Sequence, residues 1–265
     1  MTVNQLFDSL WLDYTTRLCP SAEKVHHLLQ EDTPLINDHI ALRTFKSDHL
    51  GIEALAKTFI ALGYEMGGEY HFREKKLYAR HYQHPDPSLP KVFISELLVE
   101  QLTLEAQQII ASLLEQSEEL DIASGAFLYR GRPWSITIDD YKQLALESEY
   151  ASWLAAHGYG ANHFTVSVNQ LNAFDEVSTV NAFLRQQGFA INQSGGDVKG
   201  SPEVCLEQSS TLADTVNVAF SDGVLSIPGG FYEFAKRYQQ PDGQLYQGFV
   251  EASANKIFES THRQR

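Results

Sequence analysis

Two histidines stand in short runs of sequence where apolar and polar residues alternate, and one glutamate stands in a strand-like run rich in aromatic residues. His39 lies in NDHIALRTF, His163 in ANHFTVSVN, and Glu233 between two aromatic residues in GGFYEFAKRY. Imidazoles on rigid elements are common metal ligands, and a carboxylate among aromatic side chains is costly to bury without a cationic partner. Two histidines and one carboxylate form the facial triad, which suits Fe(II) and leaves positions for a chelating substrate and dioxygen. These three residues are therefore the predicted metal ligands.

The sequence leaves other roles open for the acidic residues. Lys236 and Arg237 follow Glu233 closely, and either could pair with its carboxylate in place of a metal. Glu96, in the apolar run VFISELLV, could be a fourth ligand, an acceptor for a ligand histidine, or a partner for Arg43. A fourth protein ligand would favour Lewis-acid chemistry at Zn or Ni.

Arg43 follows His39 by four residues in the same alternating run. Both side chains should therefore point into one cleft, about 13 Å apart at about 3.3 Å per residue. A guanidinium can hold a carboxylate with two parallel hydrogen bonds. The distance fits the far end of a short dicarboxylic acid whose near end chelates the metal. The alternative is a structural ion pair with Glu96 or another acid.

The elements that must position these residues occur twice along the chain. The strand-like runs around His39 and His163 each lead into a helical pattern that stops at a glycine followed by an aromatic residue, at Gly63 and Gly188. The offsets agree, since 63 − 39 is 24 and 188 − 163 is 25. Further strand-like runs follow in both halves, among them KLYARHYQ, KVFISELLV, EVCLEQSS and DTVNVAF. Each half is thus predicted to be a βαβββ module.

We expect an α+β fold in which two such modules form a curved mixed sheet around a metal cleft, with added helices. The whole chain, residues 1–265, is predicted to be a single domain. Its first module spans about 35–100, a helical insert about 101–158, and the second module about 159–250. A helix over roughly residues 4–18 should precede them. His71, His81 and His84 could line the mouth of the cleft.

Composition limits the classes of partner. The 265 residues carry a net charge of −14, which argues against binding to nucleic acid or to an anionic membrane. No apolar run approaches the roughly 18 residues of a membrane span, and the N-terminus does not resemble a signal peptide. Cys19 and Cys205 are expected to be buried thiols in a reducing compartment. A cytoplasmic location follows as an expectation, while the oligomeric state stays open.

The runs NDHIALRTF, KVFISEL, ANHFT and PGGFYEFAKRY together resemble the 2-oxoadipate dioxygenase/decarboxylase family, a formerly uncharacterised branch of the vicinal oxygen chelate superfamily. The resemblance extends from about residue 5 to about residue 250. It implies metal ligation by His39, His163 and Glu233, and it implies a catalytic, substrate-gripping arginine at Arg43.

The resemblance also implies an activity. The cofactor would be Fe(II), and a 2-oxo dicarboxylic acid would react with dioxygen to give carbon dioxide and a shorter 2-hydroxy acid. For 2-oxoadipate the product would be 2-hydroxyglutarate, a step in lysine breakdown. The chain is expected to lack the long C-terminal portion of lysine-pathway members, which leaves the natural substrate open. Two alternatives are a Zn- or Ni-dependent lyase, isomerase or hydrolase, and a non-enzymatic module that binds small molecules.

Overall fold

The computed structural model describes residues 1–32 and 34–258. This part of the chain forms ten strands and eight α-helices. The strands are β1 (Asn37–Phe45), β2 (Glu65–Phe72), β3 (Leu77–Gln83), β4 (Lys91–Leu97), β5 (Ala161–Ser167), β6 (Lys199–Ser201), β7 (Leu206–Ser210), β8 (Thr215–Phe220), β9 (Gly223–Pro228) and β10 (Phe231–Arg237). The helices are α1 (Val3–Asp13), α2 (Ser21–Leu29), α3 (Ile52–Ala61), α4 (Leu104–Glu115), α5 (Ile138–Glu147), α6 (Glu149–His157), α7 (Val177–Gln186) and α8 (Glu251–Phe258).

Eight of the strands form one curved sheet in the order β2-β3-β4-β1-β5-β10-β7-β6. β1 is parallel to β4, and β5 is parallel to β10. The two halves meet where β1 and β5 run antiparallel to each other. Each half therefore repeats the same order around a central seam, which confirms the predicted pair of βαβββ modules in a mixed sheet.

Helices cover the outer face of this sheet. α3 packs on β3 and β4 in the first module, and α7 packs on β7 and β10 in the second. Between them the N-terminal helices bury an aromatic cluster, in which the ring of Trp11 lies 5.0 Å from Phe164 and 5.7 Å from Tyr232 between centroids. Alternation along β5 and β10 places these outer-face aromatics back to back with the polar side chains of the inner face.

Three details differ from the prediction. The N-terminal helix ends as a π-helical turn over Tyr14–Leu18 and is followed by α2. The predicted helical insert is interrupted at Ser148, whose extended backbone ends α5 and whose hydroxyl accepts the Ala151 N–H at 3.1 Å to start α6. DTVNVAF forms β8, which pairs with β9 in a separate hairpin, because β10 takes the place beside β7.

The C-terminal strap, residues 238–258, crosses the inner face of the sheet. It ends in α8, which contacts both edge strands, β2 and β6. The strap therefore bridges the open side of the curved sheet. Within the described part of the chain, no helix is long and apolar enough to span a bilayer. Cys19 and Cys205 are free thiols, the first buried and the second half-buried.

Candidate metal centre

Two β-bulges at the seam direct the residues before the two histidines. Asp38 in β1 and Asn162 in β5 have no partner in the β1–β5 register, so each is the extra residue of a bulge. Each one turns its side chain toward the histidine that follows it. The Nδ1 atom of His39 lies 2.8 Å from Asp38 Oδ1, and that of His163 lies 3.0 Å from Asn162 Oδ1. The two modules thus use the same device at the same place.

These contacts decide which ring nitrogen is available for a metal. A carboxylate or amide oxygen can only accept, so Nδ1 of each histidine carries the proton and donates it. Burial lowers the pKa of His39 despite the nearby Asp38, and it holds the pKa of His163 well below the usual range. Both rings are therefore neutral near pH 7, and both line the small pocket. The Nε2 atom of His39 accepts the Thr165 hydroxyl at 3.1 Å, and a metal ion would replace that contact.

Glu233 completes the cluster from β10. Its carboxylate is fully buried, with Oε1 3.5 Å from His39 Nε2 and Oε2 3.3 Å from His163 Nε2. Gln208 on β7 donates its amide N–H to Oε1 at 2.6 Å. Ligand atoms from the two histidines and the glutamate all lie within 4.8 Å of one another. The three residues predicted as ligands are thus brought together, and they are the only group of this kind in residues 1–32 and 34–258.

The donor set fits a divalent metal. Glu233 Oε2 is buried without a hydrogen-bond partner in the described structure, and burial raises the pKa of Glu233 to about 8. A buried carboxylate that lacks a donor for one oxygen is unfavourable on its own, and a cation between it and two neutral imidazoles would compensate it. The cavity at this point measures about 20 Å³ and is walled on its apolar side by Phe93, Phe249 and Ala254.

The ion pairs considered for Glu233 do not form. Lys236 bonds Glu176 at 2.6 Å, and Arg237 bonds Asp38. The side chains of Lys236 and Glu233 point to opposite faces of β10, because their positions differ by an odd number of residues. Arg237 shares the face of Glu233 and lies a full four residues further along, where Asp38 is within reach.

Glu96 does not join the cluster either. Its neighbour in the register is Thr44, so its side chain lies on the face opposite to His39. There it accepts the N–H of Ile52 at 3.0 Å, at the start of α3. An anion at a helix N-terminus is stabilised by the free N–H groups and the helix dipole. Glu96 is therefore neither a fourth ligand nor the partner of Arg43.

Arg43 lies on the same face of β1 as His39, since β1 and β4 pair without a register shift from His39 onward. Its guanidinium is buried against α6, 4.8 Å from the ring centroids of both Tyr150 and Trp153. Its Nη1 lies 3.4 Å from Glu149 Oε1. The residue does not line the cavity of about 20 Å³ at the ligand cluster. Its role in gripping a substrate stays a prediction.

Three other histidines were predicted near the cleft mouth. His84 lines a larger cavity beside the group formed by His39, His163 and Glu233. His81 is buried beneath the strap, 5.4 Å from the Phe249 ring, and its Nδ1 lies 2.9 Å from the Tyr70 hydroxyl. His71 is exposed, and its backbone N–H donates to Glu251 at the start of α8.

Asp38 and Arg237 connect the strap to His39, a role that was not predicted from the sequence. Arg237 donates through Nε and Nη2 to the two oxygens of Asp38, at 2.6 and 2.9 Å. Its Nη1 donates to the strap carbonyls of Tyr246 and Gly248, at 2.9 and 2.8 Å. The signal available was the repeated pattern of an Asp or Asn directly before each histidine. The strap itself has no periodic pattern that would have placed it over the cleft.

Two βαβββ modules joined edge to edge, with inward-facing side chains converging at the seam, define the vicinal oxygen chelate fold. Comparison with known sequences makes the assignment narrower. The sequence model for 2-oxoadipate dioxygenase/decarboxylase matches residues 9–126 and 115–244. The chloroplastic 2-oxoadipate dioxygenase/decarboxylase of Arabidopsis thaliana is 37% identical over 278 residues, which cover 93% of this chain and 74% of the plant protein. This chain belongs to the 2-oxoadipate dioxygenase/decarboxylase family, as its motifs had indicated.

Two solved structures are similar over nearly their full length. A protein from Shewanella frigidimarina, described as a candidate hydrolase, is 54% identical with a TM-score of 0.89, covering 94% of this chain and 98% of that one. The hydroxyglutarate synthase of Oryza sativa, solved in complex with 2-oxoadipate, is 32% identical with a TM-score of 0.89, covering 98% and 91%. The rice protein is thus a relative with a 2-oxo dicarboxylic acid bound.

Proposed function

We propose that this chain is an Fe(II)-dependent dioxygenase/decarboxylase that converts a 2-oxo dicarboxylic acid such as 2-oxoadipate to a shorter 2-hydroxy acid such as 2-hydroxyglutarate. The observation that carries the proposal is the meeting of His39, His163 and Glu233 within 4.8 Å, with one carboxylate oxygen of Glu233 lacking a hydrogen bond in the described structure. Membership in a family with a 2-oxoadipate-bound relative supports the choice of substrate.

The proposed ligand set is two neutral imidazoles and one carboxylate. This set is typical of non-haem Fe(II) oxygenases. Glu96, considered as a fourth ligand that would favour Zn or Ni, instead accepts the Ile52 N–H at the start of α3. Bound Fe(II) supplies a Lewis acid for a 2-oxo acid and the electrons that activate dioxygen. The overall reaction balances, since substrate plus dioxygen equals product plus carbon dioxide without an added reductant.

The remaining parts of the proposed site position the reactants. Asp38 and Asn162 fix the Nδ1–H tautomers, so that both Nε2 lone pairs point to the metal position. Gln208 holds the Glu233 carboxylate in place. Phe249 on the strap and Phe93 on β4 exclude water from this point. Such exclusion strengthens electrostatic interactions and limits side reactions.

Arg43 is the proposed anchor for the far carboxylate of the substrate. Its place on the inner face, in the same strand and on the same side as His39, supports this role. The rings of Tyr150 and Trp153 both make cation–π contacts with the guanidinium, which favour its place against α6. Glu149 is one-quarter exposed and pairs with Arg43 at a long 3.4 Å. A substrate carboxylate would compete with that glutamate for the same guanidinium.

The direct test is to load the purified protein with Fe(II) under anaerobic conditions and then measure oxygen uptake across a panel of 2-oxo acids. We expect uptake coupled to carbon dioxide release, highest with 2-oxo dicarboxylic acids. Turnover without oxygen would favour a lyase, isomerase or hydrolase, and absence of metal binding after Fe(II) addition would favour a binding module. A cytoplasmic location and a place in lysine breakdown stay predictions, and the Arabidopsis relative is named as chloroplastic.

A further inference from the structure

A second, larger cavity lies next to the metal cluster. It measures about 550 Å³ and opens at the edge where β1 and β4 begin and β10 ends. Asp38 and Arg237 line it, and each also contacts a residue that lines the small pocket at the ligand cluster. Asp38 bonds His39, while the Arg237 guanidinium lies 5.2 Å from the centroid of Phe249. The Asp38–Arg237 pair and Phe249 thus form a wall shared by the two spaces. We call the larger space the outer cavity.

The outer cavity contains one cationic side chain, Lys91, whose charge has no ion-pair partner in the described structure. Lys91 is the register neighbour of His39, so it projects from the same face of the sheet, and it is half-buried in the cavity lining. In the described structure its ammonium group makes neither an ion pair nor a hydrogen bond. Burial and the charge of Arg237 lower the pKa of Lys91. A half-buried ammonium without a partner is unfavourable, and a bound anion would relieve the cost.

The other charges of the outer cavity leave Lys91 without a net counter-charge, since Asp38 raises the pKa of Lys91 less than Arg237 lowers it. The carboxylate of Asp38 is taken up by the two hydrogen bonds from Arg237, so this pair is close to neutral. The rest of the lining contains His84 and uncharged polar groups such as Gln83, Ser167 and Gln170. The chain as a whole carries a net charge of −14. A locally positive cavity in such an acidic protein attracts small anions and holds them away from the repelling surface.

The two spaces differ in what they can hold. About 20 Å³ at the ligand cluster is enough for a metal ion or one water molecule, whereas about 550 Å³ is in the range of pockets for small organic ligands. A dicarboxylic acid with a chain of a few carbons fits only in the outer cavity as the strap now lies. One of its carboxylates would reach Lys91, and the chain would lie along Leu89 and Leu245.

We propose that Lys91 is the anion-binding residue of a substrate-capture site in the outer cavity, which takes small dicarboxylates before they reach the metal. The identity of the captured molecule as a 2-oxo dicarboxylic acid rests on the proposed function. The capture site itself rests on the cavity and its charge. Lys91 is thereby a specificity-determining residue that acts on binding and leaves the chemical step unchanged.

The first test is the binding of adipate to the metal-free protein, measured by titration calorimetry. Adipate lacks the 2-oxo group, so its binding does not depend on metal chelation. We expect Lys91→Met to weaken adipate binding by about tenfold or more, as for the loss of a charged hydrogen bond, and Lys91→Arg to retain it. Lys142→Met is the matched control, because Lys142 is exposed on α5, outside the cavity, and the charge change is the same. Equal affinity in wild type and Lys91→Met, or an equal loss in Lys142→Met, would overturn the proposal.

The second test is steady-state turnover of 2-oxoadipate by the Fe(II)-loaded protein at several salt concentrations. We expect Lys91→Met to raise KM by about tenfold with kcat unchanged, and to flatten the salt dependence of kcat/KM. A fall in kcat together with metal content would show that Lys91 acts through His39, and it would overturn the capture role. If wild type turns over no 2-oxo acid, the proposed function fails, and the adipate titration still decides the role of Lys91.

Discussion

At the scale of single residues, the two proposed ligand histidines have different hydrogen-bond partners at Nδ1. Asp38 is an ionised carboxylate held by Arg237, whereas Asn162 is neutral. A carboxylate that accepts the Nδ1–H of a histidine raises the basicity of the ring more than an amide oxygen does. His39 should therefore be the stronger of the two nitrogen donors, and its ring orientation depends on a buried ion pair that also ties down the strap.

Replacing His39 by alanine should abolish metal binding. The loss of metal affinity should exceed the roughly 10- to 100-fold weakening that follows removal of a residue that hydrogen-bonds to a metal ligand. Metal content after Fe(II) or Co(II) loading measures it. His157→Gln is the control, because His157 is also 2% exposed but bonds the carbonyl oxygen of Pro228 away from the cluster. Full metal content in His39→Ala would contradict the ligand assignment.

The raised pKa of Glu233 makes the stability of the metal-free protein depend on pH. The folded protein keeps this proton up to about pH 8, whereas the unfolded chain releases it near the ordinary value of 4.5. Between these two pH values the folded state binds more protons than the unfolded state. The contribution of Glu233 to the free energy of unfolding therefore falls as the pH rises from 4.5 to about 8. Glu233→Gln removes the effect. We expect the Tm of metal-free Glu233→Gln to exceed that of wild type increasingly from pH 5 to pH 8, and a constant difference would contradict the burial of an ionisable group.

Arg43→Ala should mainly raise KM for a 2-oxo dicarboxylic acid and spare a 2-oxo monocarboxylic acid. The expected rise is about tenfold or more, which corresponds to the loss of hydrogen bonds to a charged group. Steady-state kinetics with the two substrates measure it. Glu149→Gln is a useful comparison, since it should leave the guanidinium in place and remove its competitor. An equal effect of Arg43→Ala on both substrates would leave Arg43 with a structural role only.

The sequence predicted which three residues meet at the seam because alternation and repetition are local properties. His39 and His163 occupy the same position in each repeat, and Glu233 is an acid in an apolar strand. Asp38 and Asn162 were not predicted, because a bulge is a mismatch between two strands and cannot be seen in either one alone. Gln208 was missed for a similar reason, since β7 meets β10 across the sheet and not along the chain.

At the scale of elements, the strap decides how closed the metal cluster is. Phe249 stands edge-on to His39, with ring centroids 4.8 Å apart, and also contacts Phe93 at 4.9 Å. Its N–H donates to the Tyr70 hydroxyl at 3.0 Å, and Arg237 holds the carbonyls before it. These few polar contacts at the inner face hold the strap over a pocket that has room for little beyond an ion.

Shortening Phe249 should open the pocket. Phe249→Ala is expected to cost about 3 kcal/mol of stability, as for other buried phenylalanines, and to speed the release of bound Co(II) to a chelator. Phe249→Leu should have a smaller effect on both. Chemical denaturation and stopped-flow metal release measure the two quantities. Unchanged release in Phe249→Ala would mean that the strap does not control access to the cluster.

The elements were predicted to different degrees. β1 and β5 followed from alternation, and β3, β4 and β10 were predicted as further strand-like runs. The helices α3 and α7 followed from helical spacing with a glycine at the end. The hairpin of β8 and β9 was not predicted as separate, because DTVNVAF has strand character in either setting and only its partner differs. The break at Ser148 was not predicted, because it depends on the turn between α5 and α6 in the folded protein.

At the scale of the whole molecule, the cluster joins the two modules. His39 comes from the first module, and His163 and Glu233 come from the second. A metal bound to all three would hold the seam between β1 and β5 from one side. If residues 1–265 form a single domain, as predicted, the two modules should unfold together in one transition.

Saturating metal should stabilise both modules together. Binding at 1,000 times the dissociation constant adds about 4 kcal/mol to the stability of the folded state. Differential scanning calorimetry should show one transition that moves to higher temperature as Co(II) is added to the metal-free protein. Two transitions, of which only one moves, would mean that the modules unfold separately.

The central claim is that one metal ion is held by His39, His163 and Glu233 at the seam. Anomalous diffraction at the metal absorption edge, from crystals grown with Fe(II) or Co(II) under anaerobic conditions, tests it most directly. We expect a single strong peak about 2.1 Å from Nε2 of both histidines and from a carboxylate oxygen of Glu233. A peak bound elsewhere, or an empty cluster in metal-saturated crystals, would contradict the account.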